Sequence, residues 1–257
     1  MKTLTSTCVL LLMLTLGAEA QRTSPDTIPA EAGEVTVHPV RHGSLVLQWN
    51  GHAVYVDPVG GAALYEGLPR PDLVLITHPH GDHMDLATLR ALNDKNPVII
   101  APKVVGQELP SDFEGQVVVL PNGSDTNRSA AGDMPDIPVN VRSVPMYNLP
   151  DGPDARHPKG WGNGYLVELG GKVFYVSGDT EDIPEMRSLE GVDVAFVCMN
   201  MPYTMDVNQA ADAVLEFQPA IVYPYHYRGQ NIARFKELVD AGGTAVEVRL
   251  KEWYPGN

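Results

Sequence analysis

The hydrophobic positions of the chain fall into short apolar runs and helically spaced stretches, separated by polar turns. Residues 72–77 form a run of branched aliphatic side chains that is typical of a buried strand. Residues 85–93 and 207–217 instead place apolar side chains on one face of a helix. Strand-like and helix-like segments thus alternate along the chain, which predicts an α/β fold.

The predicted elements occur twice in the same order. Each half starts with a hairpin, whose turn is Asn50-Gly51 in the first half and Gly170-Gly171 in the second. A strand, a turn, a helix and a closing strand follow in each half, at separations that agree to within one residue. This duplication predicts a four-layer αββα sandwich, in which two stacked sheets are related by a pseudo-dyad and the helices lie outside.

The length of 257 residues is compatible with one domain. We expect this domain to cover residues 34–257, with halves at about 34–120 and 139–250. Residues 121–138 are rich in Gly, Ser, Asn, Asp and Pro and predict a mobile linker between the halves. Residues 21–33 are expected to be a flexible N-terminal segment.

The first twenty residues have the features of a targeting segment. Lys2 supplies a positive start, residues 9–16 form an apolar core, and Ala18 and Ala20 frame a small-residue cleavage site. We therefore expect residues 1–20 to be a secretory signal peptide. The mature protein would be secreted or periplasmic, without stable membrane insertion after cleavage.

The formal net charge of −14 restricts the classes of partner. Nucleic-acid backbones and anionic membrane surfaces both attract basic patches, so we do not expect either as a partner. A small-molecule substrate remains possible, because bound cations can reverse the local field. The sequence leaves the oligomeric state open.

A dense group of metal-binding side chains follows the strand predicted over 72–77. It reads His78-Pro79-His80-Gly81-Asp82-His83. In an extended backbone His78 and His80 face the same way, while Asp82 and His83, after the flexible glycine, can face a second point nearby. Imidazole and carboxylate donors without thiolate suit Zn²⁺, with Mn²⁺ or Fe²⁺ as alternatives.

The pattern His78-x-His80-x-Asp82-His83 resembles the signature of the metallo-β-lactamase superfamily. The resemblance extends over about residues 34–250. The wider pattern resembles the branch of metal-dependent hydrolases related to ascorbate-6-phosphate lactonases and N-acylphosphatidylethanolamine phospholipase D. The other matching segments are His42-Gly43-Ser44, Asp57-Pro58, Pro145-Met146-Tyr147-Asn148, His157-Pro158-Lys159-Gly160, Ser177-Gly178-Asp179-Thr180 and His226.

This resemblance implies two zinc ions per chain. One would be held by His78, His80 and a third ligand, and the other by Asp82, His83 and His226. Asp179 would bridge them. Asp57 repeats the position of Asp179 in the other half, and we expect it to accept a hydrogen bond from a ligand imidazole.

The third ligand of the first metal departs from the family pattern, since Asn148 stands where relatives usually carry histidine. Three outcomes are open: Asn148 coordinates weakly, His157 takes the place, or the first site is poorly filled. We expect Asn148 near the metal and His157 to act on the substrate or in proton transfer. Asp82 is the other candidate catalytic residue, because it could orient the nucleophile or pass a proton to the leaving group.

The resemblance implies a secreted metal-dependent hydrolase that uses a metal-bound hydroxide on a small ester, lactone or phosphodiester. One alternative is a mononuclear iron dioxygenase of the persulfide type, which would leave part of the cluster unused. Another is a non-catalytic metal- or sugar-binding protein of the same fold. Metal content would distinguish the three.

Overall fold

A computed structural model of the chain describes residues 22–126 and 138–255. Its first sheet has seven strands in chain order, antiparallel from the first to the fourth and parallel from the fourth to the seventh. They are β1 (Asp26–Ala30), β2 (Gly33–Arg41), β3 (Ser44–Trp49), β4 (His52–Val56), β5 (Leu73–Leu75), β6 (Val98–Ala101) and β7 (Val117–Val119).

The second sheet has six strands and repeats the pairing of the first. They are β8 (Val139–Met146), β9 (Gly162–Leu169), β10 (Lys172–Val176), β11 (Val194–Cys198), β12 (Ile221–Tyr225) and β13 (Glu247–Val248). The first three strands pair antiparallel and the last four parallel. Strands β2–β7 and β8–β13 therefore have the same topology, as the duplication predicts.

Over residues 22–126 and 138–255, five α-helices lie in the connections that follow the strands. They are α1 (Leu86–Ala91), α2 (Lys103–Glu108), α3 (Pro184–Arg187), α4 (Val207–Phe217) and α5 (Ile232–Ala241). The helix predicted over 207–217 is confirmed in full, and a capping box of Asp206 and Gln209 starts it. The helix predicted over 85–93 is confirmed with earlier termination, since a 3₁₀ turn (Asn93–Lys95) follows it.

Alternate side chains of the strands build two cores. Leu45 and Leu47 of β3 face the second sheet and share one buried cluster with Val167 of β9. Val46, between them, faces outward into a second cluster with Leu89 of α1. The predicted α/β sandwich with helices on the outside is confirmed.

Both predicted hairpin turns are confirmed. Asn50 and Gly51 have φ values of 48° and 83°, and Gly170 and Gly171 have 60° and 69°. Two consecutive positive φ angles produce the tight turn that matches the twist of paired strands.

One prediction about the segments that flank the first half is wrong. Residues 21–33 were expected to be flexible, but β1 lies within them and pairs along its length with β2. The described part of the linker, 121–126, is attached to the second sheet, where Asn122 donates to the Gly162 carbonyl at 2.9 Å. The predicted signal peptide and residues 127–137 of the linker lie outside the described residues.

Within the part of the chain that the structure describes, we find no helix with both the length and the apolar character needed to cross a membrane.

Candidate metal centre

The candidate ligands converge at one edge of the sandwich. Asp57 follows β4, the residues from His78 onward follow β5, Asp179 follows β10 and His226 follows β12. The carboxyl ends of the parallel strands in both sheets thus meet, as in other open α/β sheets that place their sites there. The structure brings together side chains from both halves of the sequence.

The first group of donors consists of His78, His80 and His157, whose ligand atoms lie within 4.8 Å of one another. His157 Nε2 is 3.2 Å from His80 Nδ1. All three rings also contact the partly exposed Trp161, with centroid separations of 5.7, 5.0 and 6.1 Å. The group is therefore a three-histidine set with an aromatic wall on one side.

Asn148 lies behind this group and does not belong to it. Its side-chain oxygen accepts hydrogen bonds from the backbone N–H and from Nδ1 of His157, both at 2.9 Å. Its amide nitrogen donates to the Tyr203 carbonyl at 2.9 Å. A flipped amide would place its N–H groups against the N–H donors of His157 and its oxygen against the Tyr203 carbonyl. The Asn148 side-chain oxygen is therefore occupied by the two hydrogen bonds from His157.

The expectation of Asn148 as the third ligand, with His157 acting on substrate or protons, is corrected by this geometry. Because the Asn148 oxygen can only accept, the Nδ1 of a neutral His157 must carry the proton and its Nε2 must carry the lone pair. Burial lowers the pKa of His157 to about 4, so the ring is neutral at pH 7. His157 thus offers a metal-binding nitrogen at the position predicted for Asn148.

The second group contains Asp82, His83 and His226, together with His42. Nε2 of His83 and Nε2 of His226 face each other at 3.0 Å. Asp82 lies at the solvent side, with 52% of its side chain exposed and Oδ2 3.9 Å from His226 Nε2. This is the set that the sequence predicted for the second metal, with His42 as an addition.

Asp179 lies between the two groups. Its Oδ1 is 3.3 Å from His83 Nε2 and 3.4 Å from His226 Nε2. Its Oδ2 points to the other group, 3.7 Å from His157 Nε2 and 4.0 Å from His78 Nε2. One carboxylate oxygen thus faces each group, which is the arrangement that a bridging ligand requires.

The donor atoms fit divalent cations. Ligands about 2.0–2.1 Å from a tetrahedral zinc ion lie roughly 3.3 Å apart. The donor atoms of His83, His226 and Asp179 have similar separations, from 3.0 to 3.4 Å. His78 Nε2 and Asp179 Oδ1 are buried without a hydrogen-bond partner among the described residues. Buried polar atoms are normally satisfied, so these two atoms indicate binding capacity that a cation would use.

Asp57 and Thr77 hold the ligand histidines from behind. Asp57 is fully buried and accepts from His83 Nδ1 at 2.7 Å. It also accepts from the backbone N–H and the hydroxyl of Thr77, each at 2.7 Å. Because the Asp57 carboxylate accepts the hydrogen bond from His83 Nδ1, the ring is oriented with its Nε2 toward Asp179. This is the supporting role expected for Asp57.

The comparisons with known proteins agree with this geometry. The family model described as "Beta-lactamase superfamily domain" matches residues 52–227, which include most of the candidate ligands. The chain belongs to the metallo-β-lactamase superfamily.

Its relatives include proteins named as metal-dependent hydrolases. A UPF0173 metal-dependent hydrolase of Thermoplasma acidophilum is 28% identical over 79% of this chain and 94% of its own length. One of Thermus thermophilus is 31% identical over 75% of this chain and 84% of its own. A solved structure described as a metal-dependent hydrolase from Parabacteroides distasonis is 37% identical, covers 90% of this chain and 99% of its own, and has a TM-score of 0.78.

The charges at this site are balanced between the imidazoles and the carboxylates. Burial disfavours a charged His83, but the carboxylates of Asp179 and Asp57 outweigh it and raise its pKa. Burial also opposes ionisation of Asp179, yet the neighbouring imidazoles of His226 and His83 hold its pKa well below the usual range. A divalent cation would replace the proton on His83, so metal binding should release protons.

Sequence reasoning did not identify three supporting residues. Thr77 directly precedes the motif, and its place at a strand end was the only available signal. Tyr203 and Tyr254 contact Asn148 and His42 across 55 and 212 positions of the chain. No local pattern marks such distant partners, so only the folded structure of this superfamily member shows them.

Proposed function

We propose that the protein is a dinuclear metal-dependent hydrolase acting on a small ester, lactone or phosphodiester. The observation that carries the proposal is the position of Asp179, whose two oxygens face separate donor groups. The names of its relatives as metal-dependent hydrolases support the reaction class. Zinc fits the imidazole-rich donors best, with Mn²⁺ or Fe²⁺ as alternatives.

The side chains of the site would have two roles, binding the cations and acting on the substrate. His78, His80 and His157 would hold one cation, and Asp82, His83 and His226 the other. Divalent cations here would lower the pKa of a water molecule toward neutrality and polarise a carbonyl or phosphoryl oxygen. Asp82 is the exposed carboxylate at the site, so we assign it to orienting the attacking water or passing a proton to the leaving group.

The environment of the ligands favours this function at neutral pH. Burial lowers the pKa of His226 to about 3 and that of His78 well below its usual value. These imidazoles are therefore neutral at pH 7, with lone pairs available for coordination. Trp161 beside the first group gives the site an apolar wall on which the organic part of a small substrate could rest.

Metal analysis combined with a substrate panel tests the proposal. We expect about two zinc or manganese ions per chain, and turnover of at least one phosphodiester, lactone or ester. Removal of metal by a chelator should abolish this turnover, and addition of Zn²⁺ to the stripped protein should restore it. Elemental analysis and a colorimetric hydrolysis assay provide the two readouts.

Two results would contradict the proposal. A single iron per chain with oxygen consumption would indicate the persulfide-type dioxygenase. Tightly bound metal without turnover of any substrate class would indicate a metal- or sugar-binding protein of the same fold.

We further propose that the protein is exported as a precursor. The apolar stretch over residues 9–16 and the small residues Ala18 and Ala20 support cleavage after Ala20. We expect the mature chain to begin at Gln21, which intact mass and N-terminal sequencing of the exported protein would show. Recovery of Met1 on a membrane-bound protein would contradict this expectation.

A further inference from the structure

His42 lies in the turn between β2 and β3 and is only 3% exposed. Its backbone has a φ of 56°, in the left-handed region that non-glycine residues rarely occupy. Its N–H donates to the Trp253 carbonyl at 3.1 Å, and its carbonyl accepts from the His226 N–H at 3.2 Å. The turn is thus fixed between the C-terminal segment and a candidate ligand, and such strained positions concentrate at functional sites.

The turn also approaches the second donor group closely. A Cβ on Gly43 would come within 2.9 Å of the His83 ring and 3.3 Å of the His226 ring. The His42 ring itself packs on His226, with centroids 3.8 Å apart. Only a glycine at position 43 allows the backbone to bring His42 to this place.

Both ring nitrogens of His42 have hydrogen-bond partners. Nδ1 is 2.8 Å from the Tyr254 hydroxyl, and Nε2 is 2.9 Å from Asp82 Oδ2. The Tyr254 oxygen also accepts from the backbone N–H of Arg228 at 3.1 Å. Tyr254, His42 and Asp82 therefore form one continuous chain of hydrogen bonds.

The Arg228 N–H at one end and the Asp82 carboxylate at the other favour one direction for these hydrogen bonds. A backbone N–H can only donate, so the Tyr254 oxygen accepts there and its own proton is free to go to His42 Nδ1. A neutral imidazole that accepts at Nδ1 carries its proton on Nε2. That proton then points at Asp82, whose carboxylate can accept it.

We propose that His42 is a positioning residue for Asp82, with its tautomer set by Tyr254. The proposal rests on the proposed function, because it assigns His42 to the support of the second cation. The Nε2–H of His42 holds Oδ2 of the half-exposed Asp82, which lies 3.9 Å from His226 Nε2, so the carboxylate keeps one orientation beside the second donor group. Without this bond an exposed carboxylate would rotate among several rotamers.

Titration of Zn²⁺ into the metal-free protein, in competition with a chromogenic chelator, tests the proposal. We expect His42→Leu to weaken zinc binding at the second donor group, called the second equivalent below, by about 10- to 100-fold, as loss of an outer-shell partner does. Zinc binding at the first donor group should not change. His42→Gln should keep most of the affinity, since its amide N–H can still donate to Asp82. Tyr254→Phe should cost about tenfold, because the ring remains but the tautomer is no longer set.

Tyr227→Phe is the matched control. Its hydroxyl contacts the same C-terminal segment, through Glu252 and the Trp253 N–H, but does not reach His42. Its second equivalent should bind as in the natural protein. An equal loss in Tyr227→Phe and Tyr254→Phe would overturn the proposal, because docking of the segment would then explain both.

Two further outcomes overturn the proposal. If His42→Gln loses the second equivalent as completely as His42→Leu, His42 is a direct ligand. If neither variant changes zinc binding, the contact has no role at the site.

Nitrogen-15 NMR of the metal-free protein tests the hydrogen-bond chain independently of metal binding. We expect Nε2 of His42 to carry the proton that Asp82 accepts, and a shift toward the Nδ1–H form in Tyr254→Phe. An Nδ1-protonated His42 in the natural protein would overturn the proposal. Binding of only one zinc ion to the natural protein would instead contradict the dinuclear function, and the NMR result would still decide the direction of the chain.

Discussion

Replacing Asp179 with asparagine should remove at least one metal ion per chain and lower hydrolysis by at least about 100-fold, as expected when a metal-generated nucleophile is lost. The carboxylate is 4% exposed, and its oxygens face both donor groups. Asparagine keeps the shape but supplies neither the negative charge nor a second anionic oxygen. Two cations would then lie close together without an anion between them, so their mutual repulsion would be uncompensated.

Asp240→Asn provides a control for Asp179→Asn. Asp240 is an exposed carboxylate of α5 whose ion-pair partner among the described residues is Lys236 of the same helix, at 3.0 Å. Such a pair contributes about 0.3–0.5 kcal/mol, so metal content and activity should not change. Normal activity with two metal ions in Asp179→Asn would exclude Asp179 as the bridge and remove the dinuclear hypothesis.

His157→Ala should lose one metal equivalent, whereas Asn148→Leu should weaken the same equivalent by about 10- to 100-fold without removing a donor. The difference follows from their places: His157 Nε2 faces His80 and Asp179, while Asn148 only fixes the tautomer of His157. Zinc titration of the two variants, with hydrolysis measured at saturating metal, separates these roles. At saturation Asn148→Leu should recover most of its activity, and His157→Ala should not.

A suitable control for this pair is His52→Ala, which removes a partly exposed histidine at the start of β4, far along its strand from the site. It should bind both equivalents normally. Retention of both metals in His157→Ala, together with complete loss of one in Asn148→Leu, would restore the asparagine as the ligand.

The parts of the site that the sequence predicted have a local or repeated signal. His78, His80, Asp82 and His83 are contiguous, and the strand before them fixes where they lie. Asp179 and His226 could be placed because the duplication gives each a counterpart position in the first half. The sheets and helix α4 followed from periodicity, which burial on one face imposes.

The failures occur where long-range packing decides. Whether Asn148 or His157 reaches the metal depends on the path of the loop between them, and both residue types are compatible with the pattern. Strand β1 was missed because it is a short edge strand containing Pro29, and proline weakens any strand pattern. The contact between His42 and Tyr254 spans the whole domain, so no sequence window contains it.

Neither half of the duplicated fold holds a complete set of donors. His157, Asp179 and His226 come from the second half, and each donor group needs at least one of them beside histidines of the first. A cation held by a complete donor group would therefore need the two sheets packed together. It would stabilise that packing by mass action, about 2.7 kcal/mol at a hundredfold excess over the dissociation constant. The metals would thus connect the two repeats, and the stability of the sandwich would depend on the supply of metal around it.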